Sequence, residues 1–185
     1  LSINKRQFIN SVIAGVLFLS YGNGMFVWAL KYVDSGFAAL IASSQPLFVL
    51  VLMYVIHGKR IYLKSLIGVF LGLVGMYLLF IQQDLTPGGN NFLGIAMILT
   101  CVLSWSYGSV FVAKAELPTH FLVSTGYQML IGGILLIFGS LLAGEPWVSP
   151  LVWSTKAQLS MLLLIIFGSI VAFTAFNYLL KLILN

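Results

Sequence analysis

The chain has 185 residues, of which 61% are hydrophobic and only 7% charged, with a net charge of +5 and a mean hydropathy of +1.08. A soluble domain carries ~25% charged residues, so this composition excludes a water-soluble globular protein. The positive charge does not indicate nucleic acid, because the basic residues are dispersed at the ends of apolar runs and form no patch with aromatics between them. The single cysteine, Cys101, excludes an intrachain disulfide and a multi-cysteine metal site.

Six apolar runs follow in order, at approximately 8–30, 36–56, 63–81, 93–115, 121–143 and 159–183. Each is near the ~20 residues that a helix needs to cross a ~30 Å hydrocarbon core. The fold class expected is therefore all-α: a polytopic helical membrane bundle with six transmembrane helices in one membrane domain, residues 1–185. The first run is too long and continuous for a cleaved signal peptide. Leu1 is not an initiator methionine, so the chain reads as truncated or processed.

The first run contains Tyr21, Asn23 and Trp28, neutral polar and aromatic groups at membrane depth. The second has no formal charge from 36 to 56 and carries small residues at its start, Gln45 and Pro46 at its middle, and Lys59 and Arg60 just beyond. Pro46 cannot donate to the carbonyl of Ala42, so a kink beside a glutamine is expected, suited to the wall of a midplane cavity and to gating. An ordinary interhelical hydrogen bond by Gln45 is the plainer reading of the same pair.

The third run repeats glycine at 68, 72 and 75, a stripe for close helix packing. Pro87, Gly88 and Gly89 mark a turn before the fourth run, which holds Trp105 and Tyr107. Tyr127 and Gln128 lie in the fifth run and Asn177 in the sixth. Between those two runs, residues 145–158 contain two prolines and Trp147 and Trp153, as expected of a loop at the headgroup level.

Alternating topology places Lys5, Arg6, Lys59, Arg60, Lys64, Lys114 and Lys181 on one side and only Lys31 and Lys156 on the other. Seven against two puts the first residues in the cytoplasm. A faint repeat links FVWALKYV at 26–33 to FNYLLKLI at 176–183, an offset of 150 residues with three identities in eight. The two segments end spans of opposite direction, as in an inverted repeat.

The segment YGNGMFVWALKYVDSGFAALIASSQPLFVLVLMYVIHGKR, followed by LIGVFLGLVGMYLLFI, resembles spans three to five of the EamA family of drug/metabolite transporters. Pro46 and the glycines 68, 72 and 75 match that pattern, whereas the glutamate usual before the terminal arginine is absent. Residues 92–183, with Trp105 and the EPW at 145–147, resemble spans six to eight. The resemblance implies ten spans in two inverted halves, with 1–83 ending the first half and 91–185 beginning the second. It also implies a cell-membrane location, a bacterial inner membrane.

The chemistry on offer is that of binding. Asp34, Asp84, Glu116 and Glu145 all lie at span ends or in loops, and neither HExxH nor GxSxG occurs. No catalytic residue, metal site or cofactor is expected. The candidate cavity residues are Gln45, Trp28, Tyr21, Asn23, Trp105, Tyr107, Gln128 and Asn177, whose aromatic faces and few hydrogen-bonding groups suit small amphipathic solutes. The function expected is transport of small metabolites, amino-acid-like or amphipathic, by alternating access and in the export direction. The alternative is a membrane scaffold or assembly subunit. The partners expected are the lipid bilayer, a small-molecule substrate and, through open glycine faces, a second copy.

Overall fold

The structure is a computed structural model and describes residues 3–58, 63–81, 91–118 and 120–184. The turn expected at 87–89 and the basic pair Lys59 and Arg60 lie outside the described residues. The elements are helices α1 (Lys5–Gly15), α2 (Gly24–Ala29), α3 (Ser35–Ala42), α4 (Gln45–His57), α5 (Leu63–Ile81), α6 (Asn91–Lys114), α7 (Phe121–Leu142), α8 (Thr155–Leu163) and α9 (Thr174–Leu184). Two stretches of π-helix, Val16–Asn23 and Leu164–Phe173, join α1 to α2 and α8 to α9. Among the described residues there is no strand.

Five helices among the described residues are long and apolar enough to cross a bilayer: Lys5–Ala29, Ser35–Ile56, Phe92–Lys114, Phe121–Leu142 and Thr155–Leu180. The third apolar run forms α5, 19 residues from Leu63 to Ile81. Large apolar side chains stay exposed along these helices, among them Val55, Phe70, Phe92 and Leu130. Continuous apolar surface on this scale is the outer face of a membrane protein.

The ends have local causes. Asp34 caps α3 by accepting from the Gly36 N–H at 2.8 Å, and Ser154 caps α8 by accepting from the Ala157 N–H at 3.3 Å; both satisfy donors that a helix N-terminus leaves unpaired. Gly58 ends α4 at φ 61°, a left-handed conformation that glycine adopts without a Cβ penalty. The connection at 145–158 is shorter than the sequence suggested, because α8 already begins at Thr155. There Gln158 Nε2 donates to the carbonyls of Pro150 at 3.0 Å and Trp153 at 3.2 Å, tying the loop to the helix that follows.

The chain packs as two compact units, one of Leu1–Gly15 with Val112–Asn185 and one of Val16–Phe111. In the second unit, Ala29, Val33, Phe37, Ala38, Ile41, Ile98, Cys101 and Val102 form a buried apolar cluster. Cys101 is thus a packed hydrophobe. In the first unit, α1 lies so close to α7 that a Cβ on Gly15 would stand 2.7 Å from the Gln128 carbonyl oxygen. The rings of Phe8 and Tyr127 meet edge to face at 6.2 Å along the same contact.

Candidate functional site

The second span does not run as one regular helix. Pro46 has no N–H for the carbonyl four residues back, and the bonding tightens on either side of it: the Ser44 N–H donates to the Ile41 carbonyl and the Leu47 N–H to the Ser44 carbonyl, each at 3.0 Å. These three-residue bonds make a 3₁₀-like joint between α3 and α4. Ser43 Oγ and Ser44 Oγ donate to the carbonyls of Leu40 and Ile41, each at 2.6 Å, so the hydroxyls fold back on the helix that ends there.

Beside the joint is a groove of about 330 Å³, lined by Ser43, Ser44, Pro46, Ser65, Gly68 and Gly72. Gly68 and Gly72 of α5 thus face an open groove, and a Cβ added at Gly68, Gly72 or Gly75 would meet nothing within 4 Å. Gln45 is half-buried. Its carbonyl is 3.4 Å from Ser106 Oγ, a lesser contact than that hydroxyl's 2.7 Å bond to the Val102 carbonyl.

The first span meets α6 through a reciprocal arrangement of rings and glycines within the same unit. Trp105 occupies the notch at Gly22, where any Cβ would overlap its indole, and Phe18 occupies the notch at Gly108, where a Cβ would stand 2.9 Å from the ring. The two rings are tilted against each other at 4.9 Å. Ser104 Oγ donates to the Leu17 carbonyl at 2.8 Å, inside the π-helical stretch. A π-helix bonds five residues back and is rare, so an external donor to one of its carbonyls helps to hold it.

The eight cavity candidates are divided between the two units, six in Val16–Phe111 and two in the other. Trp105 is packed into the first span, whereas Tyr21, Trp28 and Tyr107 are exposed, at 41%, 45% and 48%, as is Asn23. The Lys31 ammonium stands 5.2 Å from the Trp28 ring centre, in cation–π range. Gln128 and Asn177 belong to the other unit and are buried. Sequence reasoning passed over the buried hydroxyls of Ser106, Ser109, Ser124 and Thr125. Their type inside an apolar run was the available signal.

Among the described residues no group of His, Cys, Asp and Glu is placed to hold a metal ion. The ion pair of Arg6 with Glu116, at 3.4 Å, joins two exposed side chains, and such pairs contribute ~1 kcal/mol or less.

Comparison with known proteins agrees with this architecture. The chain is 33% identical over 180 residues to the uncharacterized inner membrane transporter YedA of Escherichia coli K12, covering 95% of this chain and 56% of that protein. It is 30% identical over 161 residues to a chloroplastic WAT1-related protein of Arabidopsis thaliana, covering 84% and 38% respectively. It is 23% identical over 158 residues to the uncharacterized transporter YoaV of Bacillus subtilis, covering 83% and 54%. The chain spans about half the length of the curated relatives it matches. No solved structure matches. The pattern of the EamA-like transporter family extends over residues 1–81 and 92–183, and the chain is a multi-pass membrane protein belonging to that family.

Proposed function

We propose that this chain is the membrane-embedded part of a transporter that moves small amphipathic or amino-acid-like metabolites by alternating access, in the export direction, with its first residues in the cytoplasm. The observation that carries the reading is the joint at Ser43–Ser44 beside its groove. Irregular backbone at membrane depth persists where it lines a cavity or is buried in protein, and transporter sites are built where spanning helices break. The joint supplies a bending point, and the open glycine face of α5 leaves it room to bend.

The test is uptake and efflux by the intact gene product in proteoliposomes, with a panel of amino acids and amphipathic amines. Pro46→Ala restores the missing N–H, straightens the joint and is expected to slow turnover on the order of tenfold, equivalent to ~1.4 kcal/mol of barrier. Gln45→Ala and Trp28→Ala test the cavity assignment, and an unchanged affinity and rate in both would remove those residues from it. The open faces at Gly68, Gly72 and Gly75 favour a second reading, a scaffold whose glycines receive partner helices. Gln45→Cys separates the two: labelling by a water-soluble maleimide supports the transport path, and complete protection supports the scaffold.

A further inference from the structure

Three side-chain oxygens in the unit of Leu1–Gly15 and Val112–Asn185 have no hydrogen-bond partner although they are buried: Thr125 Oγ1, Gln128 Oε1 and Asn177 Oδ1. Their residues are 2%, 0% and 5% exposed. A buried acceptor without a donor is costly, and in native structures such groups mark strain, a bound water or ion, or a ligand. Three of them on two packed helices need a common account.

The helices bring them to one level. The rings of Phe121 on α7 and Tyr178 on α9 meet at 5.6 Å, which sets the first turn of α7 beside the middle of α9, and consecutive membrane spans run in opposite directions because the chain must return across the bilayer. Thr125 lies one turn along α7 from that contact. Gln128 shares its face and reaches back, its Nε2 donating to Ser124 Oγ at 3.2 Å. Asn177 reaches back along α9, its Nδ2 donating to the Phe173 carbonyl at 3.0 Å. Helical side chains lean toward the N-terminus of their own helix, so on antiparallel helices these two amides lean toward each other, at the level of Thr125. Each amide spends an N–H on its own helix and keeps its oxygen.

We propose that Thr125, Gln128 and Asn177 form a binding site for a primary ammonium group. Such a group carries three N–H donors and no acceptor, matching three oxygens that lack donors. The donor set is neutral, which disfavours a divalent metal, whose oxygen sites recruit carboxylates. The site lies in a different unit from the groove at Ser43–Ser44, and the proposal does not depend on the transport reading.

The experiment is equilibrium binding of radiolabelled methylammonium to the purified intact gene product in detergent. Saturable binding is expected, displaced by ethylammonium but not by tetramethylammonium, which has the charge without an N–H, and not by sodium. Thr125→Val keeps the shape and removes one oxygen. It is expected to weaken binding about tenfold or more, as for loss of a hydrogen bond to a charged group, while Thr125→Ser retains it. Absence of saturable binding, equal displacement by tetramethylammonium or sodium, or unchanged affinity in a monodisperse Thr125→Val variant would overturn the proposal. The competition series uses only the wild-type protein, so the result stands even where a variant does not fold.

Discussion

At the scale of single residues, glycine carries two opposite meanings in this chain. Gly15 is pressed against the backbone of α7, 2.7 Å from Cβ to the Gln128 carbonyl oxygen, and a carbonyl on a helix cannot swing aside as a side chain can. Gly15→Ala is therefore expected to destabilise the protein by about 1–3 kcal/mol, the usual cost of overpacking, read as a lower midpoint of thermal unfolding in detergent. A Cβ at Gly72 would meet nothing within 4 Å. In this 185-residue chain, Gly72→Ala is expected to cost nothing and to gain up to ~1 kcal/mol from helix propensity, and the same unfolding measurement checks it. The sequence marked 68, 72 and 75 as the clearest packing stripe, yet the tightest approaches are at 15, 22 and 94. Spacing reveals that a face can be approached closely; whether another helix comes there depends on distant parts of the chain.

At the scale of elements, the apolar runs were legible nearly to their ends: 8–30 became Lys5–Ala29 and 121–143 became Phe121–Leu142. The change of helix type within them was not. Hydropathy is the same whether a carbonyl is bonded four residues on or five, so neither π-helical stretch left a trace in composition. Position gives a clue in retrospect. Adding the repeat offset of 150 to 16 and 23 gives 166 and 173, which fall inside Leu164–Phe173. The proline joint was visible because its cause is chemical, a missing N–H at a known place. Ser104→Ala removes the 2.8 Å bond to the Leu17 carbonyl, and is expected to lower stability by about 0.5–1 kcal/mol, as for a helix-to-helix hydrogen bond in a membrane. Thermal unfolding of that variant beside Ser109→Ala, whose hydroxyl bonds only within its own helix at 2.7 Å, isolates the interhelical part.

At the scale of the whole molecule, class was readable from composition and run length, because burial in lipid constrains every position of a span, and the family from the resemblance of particular segments, with Pro46 and the glycines 68, 72 and 75 among them. The candidate site was less so. Eight polar and aromatic residues were selected by type and depth, but a linear sequence does not reveal which helices share a seam, and only Gln128 and Asn177 proved deeply buried. Thr125 was missed because a threonine within an apolar helix ordinarily bonds its own backbone. The charge bias yields a test of orientation. In whole cells of a bacterial host, with Cys101 replaced by alanine, a membrane-impermeant maleimide is expected to label Lys156→Cys and not Lys5→Cys. The reverse pattern would invert the topology.

The two π-helical stretches have a consequence for how such a chain can change in length. A wide turn holds a residue more than the helix needs to cover the same rise, so it acts as slack. Deleting one residue within Val16–Asn23 lets the turn relax to the α form while both flanks keep their faces. The same deletion inside Phe92–Lys114, where the helix is regular, swings everything beyond it by about 100° at 3.6 residues per turn and carries buried groups to the lipid. Length differences among relatives should therefore gather in the first and sixth spans, where the fold has somewhere to put them.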